Sequence, residues 1–237
     1  MKKSSLLLFV VLLTALSASA YDFEVDGVYY NILSSSNRTA EVTYKDTNYN
    51  SYSGDVIIPS NVSYNGTTYQ VRAIGAWAFA RCTNLTSVGI SNDVQTISSY
   101  AFYGCTNLEV VTLHRWITEI GANAFAQCSK LRKVISLRTT PPTISNSNAF
   151  NYSNTTLYVA NQSLNAYRNA AYWSSFSSIQ DYDSSNLGQF SMPNKTVAPG
   201  ETFYLPVAFN CVLPACYLTF RVDVPEGLEV LGAYRTA

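Results

Sequence analysis

Charge is scarce in this sequence: only 13% of its 237 residues are Asp, Glu, Lys or Arg, against roughly 25% in an ordinary globular domain. Lys+Arg 15 balances Asp+Glu 15, for a net charge of zero. A nucleic-acid binder neutralises phosphates with clustered Lys and Arg, and a polybasic membrane patch needs the same clusters, so both partner classes are disfavoured. Histidine is scarcer still, with His114 alone. A Ser-His or Cys-His nucleophile also needs an orienting third group, and no spacing here supplies one. Beyond the first twenty residues no apolar run approaches the ~20 residues of a spanning helix. What the chain does have is hydrophobic residues at 47% and aromatics at 14%, enough core for one or two domains and too much for general disorder.

Residues 1–20 read as a cleavable export signal. Lys2 and Lys3 form a basic start, Leu6 to Leu16 an apolar run, and Ala18-Ser19-Ala20 the small-x-small pattern of a signal-peptidase site, with cleavage expected before Tyr21. No Cys follows that site, so a lipid anchor there is not supported. Export permits disulfides in the mature chain.

The segments AIGAWAFARCTNLTSVGI, TISSYAFYGCTNLEVVTL and EIGANAFAQCSKLRKVIS align without a gap at a step of 23 residues. Ile74/Ile97/Ile120, Ala78/Ala101/Ala124, Phe79/Phe102/Phe125, Cys82/Cys105/Cys128, Leu85/Leu108/Leu131 and Val88/Val111/Val134 form apolar columns. A unit this short cannot bury its own apolar side, so stacking of successive coils explains why the same residue type returns. Leu85-x-x-Val88-x-Ile90 has the spacing of a leucine-rich-repeat strand, which sends Val88 and Ile90 inward and Ser87, Gly89 and Ser91 outward. The Ala78-Phe79 pair lies on the opposite side, in an expected helical or 3₁₀ turn. Ser136 stands where Ile90 and Leu113 stood, and Pro141-Pro142 follows, so the solenoid is expected to end there.

The expected organisation is thus a β-rich N-terminal cap over 21–73, three repeats over 74–140 and a C-terminal cap over 141–182. Val28-Tyr29-Tyr30, Ala40 to Tyr44, Val56-Ile57-Ile58 and Tyr69-Gln70-Val71 read as short strands of the first cap. Thr156 to Val159 reads as a strand of the second, and Gln162 to Phe176 as a short sealing helix, with Leu164, Tyr167, Ala171 and Phe176 at roughly helical spacing.

The I-G-x-x-A-F-x-x-C-x-x-L-x-x-V columns, the entry segment Val71-Arg72-Ala73-Ile74-Gly75 and the exit segment Pro141-Pro142-Thr143-Ile144 leading to Leu157-Tyr158-Val159 and Tyr167 resemble the BspA-like family of bacterial surface leucine-rich-repeat proteins. The resemblance covers about residues 24–182. It implies a secreted or surface-displayed solenoid used in adhesion or ligand recognition, often in host-associated bacteria, with no catalytic residues to carry over. Members usually contain more than three repeats.

Residues 187–237 follow a Ser-rich joint at Asp183-Ser184-Ser185-Asn186 and differ in composition. Phe203, Leu205, Val207 and Phe209 alternate with positions expected to be more exposed, as do Leu218, Phe220, Val222 and Val224. They are similar to the start of a cohesin-like or immunoglobulin-like β-sandwich, a fold that needs roughly a hundred residues, so this segment is expected to be an incomplete sandwich. Cys211 and Cys216 flank the turn Val212-Leu213-Pro214-Ala215, where a hairpin disulfide is expected.

The 23-residue Cys spacing matches no chelating pattern, so no metal, and with it no cofactor, is expected. Neighbouring coils at about 4.8 Å fall within disulfide range, but side chains of one column point the same way, which favours a ladder of buried thiols. Eight Asn-x-Ser/Thr triplets arise as readily from an Asn-, Ser- and Thr-rich composition as from glycosylation. The function expected is non-catalytic recognition or adhesion toward an extracellular protein or glycan. The alternatives are a structural spacer and an accessory module of a secreted polysaccharide-degrading assembly. The candidate contact residues are the outward rows Ser87, Gly89, Ser91, Val110, Thr112, His114, Lys133 and Ile135, extended at the strand exit by Arg115 and Trp116. An alternative aromatic strip is formed by Trp77 and Tyr100.

Overall fold

A computed structural model describes residues 20–182, together with two short strands at residues 188–191 and 208–211. The export signal therefore lies almost wholly outside the described residues. So do Cys216, with the proposed Cys211–Cys216 pairing, and most of the expected sandwich segment.

In chain order the strands are β1 (Phe23–Val25), β2 (Val28–Ser34), β3 (Thr39–Thr43), β4 (Gly54–Ile57), β5 (Asn61–Tyr64), β6 (Thr67–Ile74), β7 (Leu85–Gly89), β8 (Thr96–Ile97), β9 (Val110–Leu113), β10 (Glu119–Ile120), β11 (Lys133–Ser136), β12 (Thr143–Ile144) and β13 (Thr156–Val159). Helix α1 (Leu164–Asn169) and β14 (Ser178–Asp181) follow. Then come β15 (Gly188–Ser191) and β16 (Ala208–Cys211), which pair antiparallel.

Two parallel ladders run through the repeats. One sheet has the order β1-β2-β3-β6-β8-β10-β12, antiparallel among β1, β2 and β3 and parallel from β3 onward, with β5 antiparallel to β6. On the other side β4 pairs with β7, and β9, β11, β13 and β14 pair in succession, all parallel. Each repeat contributes one strand to each ladder, as a repeating unit with two apolar edges must.

Between the ladders the aromatic column is longer than the three-unit alignment. Phe79, Phe102 and Phe125 stack at 4.9 and 5.0 Å with interplanar angles of 9° and 5°. Tyr52 continues the column at 4.4 Å from Phe79, and Phe150 at 4.9 Å from Phe125. Trp173 and Phe176 close it at 5.9 and 5.3 Å from Phe150. At the other end Phe23 stacks on Tyr64 at 4.6 Å.

The expected end near Pro141-Pro142 is corrected: the ladder continues through β13 and β14. Ser136 is not a stop signal. It is fully buried, and its hydroxyl lies 2.6 Å from the Tyr167 phenol, which donates to the Arg138 carbonyl at 3.0 Å. A phenol has one proton to give, so Ser136 donates to Tyr167. The polar residue in an apolar column thus docks the terminal helix. That helix is shorter than expected. Tyr172 adopts φ 64°, which separates α1 from a 3₁₀ turn over Trp173–Ser175.

The Ala-Phe segments are hydrogen-bonded turns rather than a helix. Ala78 N–H bonds to Gly75 O at 3.2 Å, Ala80 to Trp77 at 3.0 Å and Cys82 to Phe79 at 3.2 Å. Positive φ at Trp77 (62°) and Arg81 (58°) interrupts any continuous helix. The same two positions recur as Tyr100 and Gly104, then Asn123 and Gln127.

Candidate recognition surface

Strand register builds the outward face of the second ladder. Asp55 sits beside Ser87 and Ile57 beside Gly89. Beyond them Val110, Lys133, Thr156 and Ser178 form one row, and Thr112, Ile135, Tyr158 and Gln180 the next. The ladder is interrupted between these groups, because among the described residues β7 pairs only with β4 and β9 only with β11.

This face is less open than the alternation implies. Ser87, Gly89, Val110, His114 and Lys133 are half-buried, whereas Ser91 is 7% exposed, Thr112 6% and Ile135 1%. The reason is crowding: strands about 4.8 Å apart make neighbours in a row cover one another. Ile135 is flanked by Thr112 and Tyr158 in its row, and Lys133 Nζ lies 5.1 Å from the Tyr158 ring centroid, within cation–π range. Ser91, Thr112 and Ile135 therefore offer little surface to a ligand. The hydroxyls of Ser91 and Thr112 have no hydrogen-bond partner.

The open part is the strand exit. Ile117 N–H bonds to His114 O at 3.1 Å, closing a turn whose corner residues are Arg115 and Trp116. Both are exposed, Trp116 by 57%. One repeat on, Arg138 occupies the position of Arg115, and its Nη1 donates to the Arg115 carbonyl at 3.0 Å. Burial, with the Arg115 guanidinium adding to it, pulls the His114 imidazole below its usual range, so the ring is neutral at pH 7. Tyr182 lies close enough to Arg115 for the guanidinium to oppose the rise that burial imposes on its phenol.

Sequence reasoning missed Arg138, Tyr158 and Tyr182. The signal for Arg138 was the repeat itself, one 23-residue step from Arg115. A second signal is the distribution of charge. Asp22, Glu24, Asp26, Glu41, Asp46 and Asp55 fall before residue 60, whereas residues 121–180 contain Lys130, Arg132, Lys133, Arg138 and Arg168 and no Asp or Glu. Net neutrality conceals an acidic start and a basic stretch over 121–180.

The alternative strip is a stack. The Trp77 and Tyr100 rings are 4.2 Å apart at 2°, Tyr49 lies 5.4 Å from Trp77, and Tyr103 lies 5.6 Å from Tyr100. The two rings present one face each to the other. A ligand that needs a flat aromatic face gains less here than at Trp116.

A cleft of about 550 Å³ beside β4 is lined by Asp26, Tyr30, Tyr52, Asp55 and Ile57, among others, with no basic residue. Asp55 accepts hydrogen bonds from Ser87 (2.6 Å) and Thr86 (2.9 Å), which hold its carboxyl below the usual range. Among the described residues no group of three or more His, Cys, Asp or Glu is placed to hold a metal ion. No described helix is long and apolar enough to cross a membrane.

A family model described as a BspA type leucine rich repeat region matches residues 59–180 in six copies. The outer copies escape a gapless alignment because their spacing changes. Ser87 is 32 positions from its partner Asp55, and Ser178 follows Thr156 by one residue fewer than the period. The chain is similar to a leucine-rich repeat protein from Bacteroides ovatus (26% identity, 59% of this chain and 38% of that one, TM-score 0.49). It is also similar to a leucine rich cell surface protein from Faecalibacterium prausnitzii (26%, 68% and 43%, TM-score 0.47) and a leucine-rich repeat protein from Bacteroides capillosus (27%, 58% and 96%, TM-score 0.47). It spans 38% and 43% of the lengths of the first two. No curated protein matches.

Proposed function

Because the chain belongs to the BspA-type leucine-rich-repeat family, we propose that it is a surface-displayed solenoid that recognises an extracellular ligand without catalysis. The family carries an interaction or adhesion role. Export is supported by Lys2-Lys3, the Leu6 to Leu16 run and Ala18-Ser19-Ala20, and surface display by the cell-surface description of the Faecalibacterium prausnitzii protein.

The contact surface we assign is the strand-exit turn of Arg115 and Trp116 with the adjoining open positions Ser87, Gly89, Val110, His114 and Lys133. One observation carries this reading: Trp116 keeps 57% of its surface in solvent. Leaving a large apolar side chain in water forfeits the ~25 cal/mol per Å² that burial would return, and such residues concentrate at binding hot spots.

The test begins with a ligand array of extracellular proteins and glycans. Any ligand retained is then measured against Trp116→Ala and Tyr100→Asn. Asparagine is tolerated at position 100 because Asn123 occupies the same left-handed position one repeat later. Loss of binding in Trp116→Ala alone supports the assignment. Loss in Tyr100→Asn alone moves the site to the aromatic stack.

A further inference from the structure

We propose that the ligand is an anionic polysaccharide, held along the strand-exit edge by Arg115, Arg138 and Lys133 with a sugar ring seated on Trp116. The inference rests on the recognition surface assigned above and adds the ligand's chemical class.

The first ground is unpaired charge. Among the described residues the single salt bridge is Arg72–Asp93 at 3.6 Å, so Arg115, Lys133 and Arg138 have no carboxylate partner there. The turn row makes the contrast. In the first repeat Asp93 occupies the corner and meets Arg72, and at the equivalent position one repeat later Trp116 replaces it beside Arg115. Arg138 Nη1 uses a backbone carbonyl, and its Nε is buried without a partner. Like charges held side by side with no counter-charge repel each other. An anion spanning both removes that penalty and gains charge-assisted, fork-shaped hydrogen bonds.

The second ground is shape. Arg115 and Arg138 belong to adjacent repeats, about 4.8 Å apart along the stack, a spacing close to the length of one pyranose unit. A linear polymer with an acidic group on its sugars therefore meets the guanidinium row in phase. Trp116 stands beside that row with its indole exposed. The CH face of a pyranose stacks on an aromatic plane, as the acidic groups of the same polymer reach the arginines. An acidic polypeptide supplies the charges but no comparable flat apolar face. Lys133 is five residues before Arg138, roughly 16 Å away along an extended strand, so the basic surface reaches beyond one sugar. The acidic cleft beside β4, with Asp26 and Asp55, lies at the first strand on this side of the stack and repels such a ligand.

Binding of the full chain is measured on immobilised polygalacturonate, heparin, dextran and polyglutamate at low and physiological salt. Variants are Arg115→Ser, Trp116→Ala and, as an equal change of charge on the acidic half, Lys45→Ser; circular dichroism checks folding. Retention on polygalacturonate or heparin but not dextran is expected, and which of the two binds separates carboxylate from sulfate recognition. Arg115→Ser and Trp116→Ala each weaken it about tenfold, the scale of one charge-assisted contact, while Lys45→Ser leaves it within twofold. Three results overturn the inference: no retention on either anionic polysaccharide, an equal loss in Lys45→Ser, or polyglutamate binding as tightly with Trp116→Ala silent. If neither polysaccharide binds yet an array ligand still depends on Trp116, the ligand class is wrong and the recognition surface stands.

Discussion

Cys105 donates its thiol proton to the carbonyl oxygen of Phe79, 3.0 Å away, and Cys128 makes the same bond to Phe102 at 3.1 Å. Each thiol thus satisfies a backbone acceptor of the preceding repeat, in the column that carries the stacked phenylalanines. This explains a cysteine at a position where packing alone accepts any small apolar residue. All three column cysteines are free and buried.

The thiols are therefore expected to be shielded in the native state. Alkylation of Cys82, Cys105 and Cys128 should be slow in buffer and complete in denaturant without reductant. Cys128→Ser, which keeps a donor, should be better tolerated than Cys128→Ala, which leaves the Phe102 carbonyl with only the Cys105 N–H and forfeits one hydrogen bond, about 0.5–1.5 kcal/mol. Mass spectrometry of alkylated peptides and thermal melts measure both. A mapped Cys82–Cys105 bridge contradicts the first expectation.

Stability should decline on the alkaline side. Burial raises the Cys82 thiol from 9.0 to about 11, and raises the Tyr152 and Tyr167 phenols to about 12. Because these pKa values are higher in the folded chain, the unfolded chain loses its protons first. The contribution of Cys82 is complete below pH 9 and disappears as pH rises toward 11. Melting temperature should fall over that window, and Cys82→Ala should flatten the slope. An unchanged slope in the variant assigns the decline to the phenols and to the Cys105 thiol, which its contact with Cys128 and its burial also raise.

Phe102 is fully buried between Phe79 and Phe125. Phe102→Ala removes both stacking contacts and opens a cavity, at an expected cost of about 3–5 kcal/mol. A thermal midpoint within a degree or two of the parent contradicts the column.

Gly121 marks a close approach between repeats. A Cβ there meets Ser99 N at 2.3 Å and Ser98 C at 2.6 Å, both backbone atoms that cannot swing away. Gly121→Ala should cost at least the ~1–3 kcal/mol of overpacking. Gly66→Ala, where a Cβ meets nothing within 4 Å but φ is +75°, should cost only the ~1–2 kcal/mol of the left-handed backbone. Chemical denaturation of the two variants measures the difference.

How much of this was legible depended on whether a residue's neighbours could be counted along the chain. The Ile74, Phe79, Cys82 and Leu85 columns were readable because stacking forces the same residue type to return at one interval, and all four lie in the core. Tyr52, Phe150 and Trp173 extend the same aromatic column but escaped the count. Tyr52 lies 27 residues before Phe79 and Phe150 lies 25 after Phe125, so both leave the 23-residue step, and Trp173 is one step beyond the displaced Phe150; only spatial stacking shows their membership. Ser136 looked like a defect of the pattern because its partner, Tyr167, is 31 residues away.

The sequence by itself determined the repeat, the inward alternation of Val88, Ile90, Val111 and Leu113, and the place of Arg115 and Trp116 at the strand exit. These follow from local period and turn chemistry. Tertiary structure alone decided which outward residues remain open. Thr112 and Ile135 alternate correctly yet are covered by neighbours one strand away, while Trp116 has no neighbour to cover it. Tertiary structure also brought Arg138 against Arg115, turning a sparse and neutral composition into an uncompensated pair of charges. Burial and charge pairing depend on distances across strands, and those distances are set only when the repeats stack.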